Sequence, residues 1–315
     1  MCAALLMLGI FVGAAEATPI PEVIGCAPSP EGMACVPGGW FIRGADDDTH
    51  VCKQRFGAAL RKRPNARPAA KVWLQTFYID THEVTFAEYA ACIRAKTCDL
   101  RPEDGRWGPL YSDFNRPRQS ITGANWFQAR QYCRSLGKEL PTEAQWEKAA
   151  RGADGELYPW GSAPPTCAVA VIKDPKRGRS CGVKKRGTAS TGRVLEVGGK
   201  PAGRYGLYDM IGNVEEWVAD WYSDDYAACG DACAGVDPKG PCAGADECPK
   251  HRFKVVRGGS WYWDASHGTG IHRRPHFPDN RAPKRFHHFG FRCAAGANEA
   301  RAIRAGADAA GPSVE

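Results

Sequence analysis

The chain has 315 residues and a formal net charge of +7, with 43% hydrophobic and 24% charged residues. This globular balance excludes global disorder, and no apolar run reaches the roughly 20 residues of a membrane-spanning helix. With 36 Gly and 23 Pro, the chain should fold as short elements joined by many turns, not as a helical bundle or coiled coil.

An apolar run from Ala3 to Ala15 leads into Ala15-Glu16-Ala17. The pattern predicts a signal peptide over 1–17 and an exported chain starting near Thr18, although no Lys or Arg precedes the run. Residues 18–31 read as an extended lead-in. Val23-Ile24-Gly25-Cys26 is a poor lipobox, because Glu22 intrudes and the apolar run lies upstream, so no lipid anchor is expected on Cys26.

Trp40-Phe41-Ile42, Val72-Trp73-Leu74 and Phe77-Tyr78-Ile79 are aromatic and β-branched and predict strands. Thr85 and Glu88 form a capping box that opens a helix to about Lys96, with Tyr89, Cys92 and Ile93 on one face. Asn125 and Gln128 repeat the signal for a helix through Trp126, Ala129, Tyr132, Cys133 and Leu136, stopped by Gly137. Thr142 and Gln145 cap a third, with Trp146 and Ala150 facing inward and Gly152 at its end. The stretch 153–204 is irregular. Asn213 and Glu216 predict a short helix around Trp217, Phe253 to Val256 predict a strand, and the Ala/Gly-rich residues 295–315 predict a flexible tail. This is an α+β pattern.

Fourteen Cys fit an oxidising compartment. Cys92/Cys98 and Cys167/Cys181 are close in sequence and predict disulfides. Cys229, Cys233, Cys242 and Cys248 predict a disulfide-rich insertion over 223–253 with its pairing open, since their spacings miss a zinc knuckle. Without Cys2 the count is odd and leaves one thiol over. The positive charge is local: 53–71 carries seven Lys/Arg and no acid, and 173–193 carries eight against Asp174. Such stretches are solvated loops or attract anionic surface polymers. No nucleic-acid motif accompanies them.

Six blocks occur in order: FYIDTHEVT (77–85), ANWFQARQYCRSLGKELPTEAQWEKAARG (124–152), YPWG (158–161), GLYDMIGNVEEWVADWY (206–222), VVRGGSW (255–261) and GFRCA (290–294). The series resembles the formylglycine-generating enzyme (sulfatase-modifying factor) family over 32–294. The resemblance implies a single compact domain related to the C-type lectin fold, low in regular secondary structure and stapled by disulfides. It implies a Cys133–Cys293 disulfide and a Ca²⁺ site on Asp209, Gly212, Val214 and Glu216, hard oxygen donors of the kind Ca²⁺ takes.

The family's oxidase holds Cu(I) on two Cys shortly after GGS, as soft thiolates do. Here those positions fall on Trp263 and Gly268, and no Cys lies between Cys248 and Cys293, so copper is not expected. Ser260 matches a family active-site Ser but has no evident partner base. Glu83, Glu143 and Glu147 read as scaffold. The aromatic and basic residues Trp261, Trp263, Arg273 and Arg274 are candidates for a binding groove. His267, His272 and His276, with Asp264 or Asp279, suggest a His-and-carboxylate site for non-haem iron. The expectation is therefore an exported, non-catalytic binding or scaffold module for a protein, a peptide or an anionic surface polymer. The alternative is a metal-dependent oxidoreductase, either forming formylglycine from a protein Cys with O₂ or using His-bound iron.

Overall fold

The computed structural model describes residues 20–46, 65–98, 116–174, 179–181, 193–279 and 288–310. The three helices signalled by capping boxes form where the caps place them. Helix α1 is Phe86–Arg94, α2 is Trp126–Ser135 and α3 is Glu143–Arg151. At each start the cap side chain (Thr85, Asn125 or Thr142) accepts the third residue's N–H, while Glu88, Gln128 or Gln145 reaches back to the cap. Two otherwise orphaned donors are satisfied at every start.

The early aromatic runs become strands β1 (Met33–Val36), β2 (Gly39–Arg43), β3 (Ala70–Leu74) and β4 (Phe77–Asp80). Later come the short strands β5 (Lys173–Asp174) and β6 (Arg179–Ser180), then β7 (Glu215–Trp221) and helix α4 (Tyr226–Cys229). Strands β8 (Lys254–Arg257), β9 (Arg273–His276), β10 (Phe289–Gly290) and β11 (Ala294–Gly296) precede helix α5 (Ala297–Ala310). One sheet has the order β1-β4-β11, a second has β10-β7-β8-β9, and β2–β3 and β5–β6 are two-stranded. Both larger sheets therefore take strands from the far end of the sequence.

The four-stranded sheet divides the core. In β7 and β8, Trp217 and Val256 pack with Trp126, Tyr89, Phe289 and Phe291, while Val218 and Val255 pack with Trp146, Phe41, Val72 and Phe77. Adjacent side chains point to opposite faces of a strand, so one apolar run serves two clusters. The expected helix around Trp217 is corrected by this arrangement: residues 215–221 are the strand β7, with Trp217 opposite Val256. Asn213 turns the chain into the strand, with φ of 53°. The flexible tail is corrected too. Residues 297–310 are α5, whose Ala297 and Ala300 are buried, with Ile303 packed against Met33 and Tyr78. Alanine is the best helix former, so an Ala-rich segment with buried anchor residues folds as a helix.

Among the described residues, six disulfides join Cys26–Cys35, Cys92–Cys98, Cys133–Cys293, Cys167–Cys181, Cys229–Cys233 and Cys242–Cys248. Cys26 is thus held by Cys35, while Cys2 and Cys52 lie outside the described residues, as does the whole 1–17 segment. Among the described residues no helix is long and apolar enough to cross a membrane.

Candidate functional site

The loop after β8 begins Gly258-Gly259-Ser260. Gly259 has φ of +70°, and a Cβ there would lie 2.7 Å from the His267 carbonyl oxygen. Only glycine allows the loop to fold back so closely on its own later half. Ser260 is fully buried. Its Oγ accepts the Tyr262 N–H at 3.3 Å and its carbonyl accepts the Trp263 N–H at 3.1 Å. The hydroxyl caps a turn, and among the described residues no base hydrogen-bonds it.

Trp263, where the resemblance puts the first copper thiolate, is packed against both a histidine and an arginine. Its ring stacks on His267 with centroids 4.6 Å apart, and the Arg274 guanidinium lies 4.7 Å from its centroid. Its Nε1 donates to Glu215 Oε2 at 3.3 Å. The buried Glu215 carboxylate also accepts both bonds from Arg274 Nη1, at 2.7 and 2.6 Å, and has His288 Nε2 3.5 Å away. Burial pushes the Glu215 carboxyl up, against the opposing pull of Arg274. Tyr262 is 41% exposed and stacks on His288 at 5.2 Å, edge-on to Trp263. At the second thiolate position, Gly268 lies against Ile211 and Ile172.

The four groove candidates separate. Trp263 and Arg274 lie together, but Trp261 is 3% exposed and packs with Val171, Val194 and Val214. Arg273 is buried, forks onto Glu143 and donates to the Asn65 carbonyl. The His candidates separate as well. His267 and His272 meet edge to face at 4.8 Å, whereas His276 is on β9 against Trp217 and Phe289. Burial pushes the His276 imidazole down to about 4. Asp264 accepts from the Ser266 amide and hydroxyl, and His267 beside it helps hold its carboxyl far below the usual range. Among the described residues, no three His, Cys, Asp or Glu side chains converge as a metal site would require.

The Asp209–Glu216 block is buried behind this loop. Asp209 Oδ2 accepts the Gly198 N–H at 2.7 Å. Both Glu216 oxygens are taken by Arg292, at 2.8 Å each, and Oε2 also accepts from Trp146 Nε1. Gly212 donates its N–H to the Gly258 carbonyl, and Val214 donates its own to Glu83 Oε1 at 3.2 Å. Glu83, which the sequence marked only as scaffold, is fully buried beside these groups and bonds Asn213 Nδ2 at 2.6 Å. Burial first, then the charges of Asp209 and Glu216, push its carboxyl well above the usual range. Burial raises Asp209 as well, so Glu83 and Asp209 both lean toward their protonated forms beside the Arg292-paired Glu216, and no cluster of metal-ligating side chains is assembled here among the described residues.

Residues 22–297 match the family model for the sulfatase-modifying factor enzyme 1-like domain. A formylglycine-generating enzyme of Thermomonospora curvata is 30% identical, covering 84% of this chain and 93% of its own. A mouse protein described as inactive C-alpha-formylglycine-generating enzyme 2 is 27% identical, covering 84% and 86%. Among solved structures, PvdO from Pseudomonas aeruginosa has a TM-score of 0.60 at 24% identity, covering 84% of this chain and 94% of that one.

Proposed function

The chain belongs to the sulfatase-modifying factor family, and on that premise we propose that it is an exported, non-catalytic member that binds a partner through the 260–274 loop. The observation that carries this reading is Trp263. Where the resemblance puts the first copper thiolate, this chain has an indole that stacks on His267, lies against Arg274 and donates to Glu215. Neither Trp263 nor Gly268 offers a donor to Cu(I). The mouse relative described as inactive shows that the family includes members named for lacking the activity. The six disulfides support export, since such bonds persist in oxidising compartments. The His-bound iron reading is weaker, because His267 and His272 meet while His276 faces another part of the core.

A structural Ca²⁺ on Asp209, Gly212, Val214 and Glu216 belongs to the same proposal. Its support is the resemblance together with the crowding of Glu83 by Asp209 and Glu216, which a bound cation would relieve. If bound, it would neutralise those carboxylates and brace the turn that leads into β7. One experiment tests both parts. The full chain, purified oxidised, is assayed with Cu(I), O₂ and a Cys-containing peptide, and its metals are counted by elemental mass spectrometry. The expected result is no aldehyde product, no bound copper and about one Ca²⁺ per chain. Copper-dependent turnover sinks the non-catalytic reading, and an absence of calcium in calcium-containing buffer sinks the Ca²⁺ site.

A further inference from the structure

We propose that the buried Arg43 guanidinium and the start of helix α3 hold a small monovalent anion, chloride or a like halide, inside the protein. The site shares no lining residue with the 260–274 loop and does not depend on how that loop is read.

The alternation that turns Phe41 into the core also turns in Arg43, which ends β2 and is 3% exposed. Its guanidinium lies 3.7 Å from the centroid of the Tyr226 ring. Its Nε has no hydrogen-bond partner, and among the described residues neither Nη donates to an acceptor or joins an ion pair. A guanidinium carries five N–H donors, and burying them with their charge unanswered is costly. Arg43 lines a cavity of about 10 Å³, room for one water or one monatomic ion. Ala144, the second residue of α3, lines it too. The first amides of a helix have no partner inside it. Here Asp220 Oδ2 accepts the Glu143 N–H at 2.7 Å and Thr142 Oγ1 accepts that of Gln145 at 3.1 Å. The Ala144 N–H between them has no acceptor among the described residues. A guanidinium and the positive end of a helix thus meet at one cavity, as an anion requires.

Charge decides between a water and an anion. Arg43 adjoins a buried cluster in which Arg151, Arg257 and Arg273 pair with Glu143 and Glu147. Asp220, in the cavity wall, is the third carboxyl group, so the cluster sets four guanidiniums against three. Burial, then the Glu143 charge, push Asp220 up to about 7, against the Glu143 amide and the charges of Lys254 and Arg273. Below that value its protonated form dominates, the cationic excess grows, and its hydroxyl becomes one more donor. Tyr226, the other titratable group in the wall, donates its hydroxyl to Glu147 Oε2 at 3.1 Å, and burial pushes its phenol up. A water in the cavity would satisfy hydrogen bonds and leave the excess charge standing. A halide answers both, because it accepts from every donor and carries the missing charge.

The test uses the full oxidised chain. Crystals grown without halide are soaked in sodium bromide, which its anomalous scattering locates. The expected result is a bromide in the cavity, in contact with Arg43. In solution at about pH 6, the urea midpoint should rise saturably with sodium chloride over sodium gluconate of equal ionic strength. The rise should be smaller at about pH 8, and Asp220→Asn, which keeps an N–H donor at both values, should remove that difference. Arg43→Met should abolish the chloride effect. Arg43→Lys keeps the charge and guards the fold, and should weaken the apparent chloride affinity by about ten-fold or more, because one ammonium replaces a fork. An ordered water where bromide is expected, or bromide only at the surface, overturns the proposal. So does an unchanged chloride effect in the Arg43 variants. Equal midpoints in chloride and gluconate do the same, and would make any bromide in the crystal an adventitious ion only. None of these outcomes touches the non-catalytic reading, which copper-dependent turnover alone would remove.

Discussion

Arg273 and Arg274 are consecutive residues of one strand and live in different environments. Arg273 is fully buried: its fork closes on Glu143, Nη1 reaches the Asn65 carbonyl, and the Tyr226 ring lies 4.3 Å from its guanidinium. Arg274 turns to the other face, holds Glu215 with one nitrogen and keeps an edge toward water. The alternation of a strand makes this division, not any difference in residue type. Around Arg273 the charges close on themselves. Glu143 and Glu147, one turn apart on α3, share Arg257, and Glu147 pairs again with Arg151. A buried ion pair of this kind adds little by existing but costs much to break. The lesson is that a basic residue on this strand is read by the face it occupies.

That contrast can be broken most strongly on the buried side. Arg273→Met leaves Glu143 inside the protein with its fork partner gone, and should lower unfolding free energy by about 3–5 kcal/mol in urea titrations. A loss below about 1 kcal/mol would mean that the network relaxes freely and that the two arginines are alike. A pH profile sharpens the same point. Burial and the Glu143 charge push Asp220 up from 3.8 to about 7. Its stabilising contribution is full below its unfolded pKa and is lost as pH rises toward and through about 7. Asp220→Asn should therefore flatten a decline in the urea midpoint across that window. Lys254, pushed down to about 6 by burial, acts in the opposite sense, adding stability as pH rises above that value. If the variant and the parent fall in parallel, Asp220 does not titrate there. The smallest effect belongs to the exposed side. Tyr262→Ala, at a 41% exposed side chain, should shift the stability read from the urea midpoint by less than about 0.5 kcal/mol.

Much of this was legible in the sequence where chemistry is local. Three capping boxes placed three helices, and near-neighbour cysteines paired as their spacing suggested. What depended on distant partners was not legible. Residues 213–217 carry a helix-start pattern, but Trp217 has Val256 on one side and Phe289 at its face, and those contacts draw the segment into a sheet. Within the candidate site, Trp263 and Arg274 were named, yet Glu215, which holds both, was not. A lone Glu between Val214 and Glu216 carries no signal until β7 sets its face. Arg273 and Trp261 carried the same chemical signal as their neighbours, and only burial separates them.

The bond between Cys133 and Cys293 encloses 160 residues of sequence separation, and β11 completes the sheet that β1 and β4 begin. During synthesis, therefore, the first two strands wait for almost the whole chain to leave the ribosome before their third neighbour exists. Any half-made protein exposes the flank of β4, an unpaired edge open to wrong partners. Once the bond is closed, a cut within the enclosed stretch leaves two pieces that stay covalently joined until a reductant arrives.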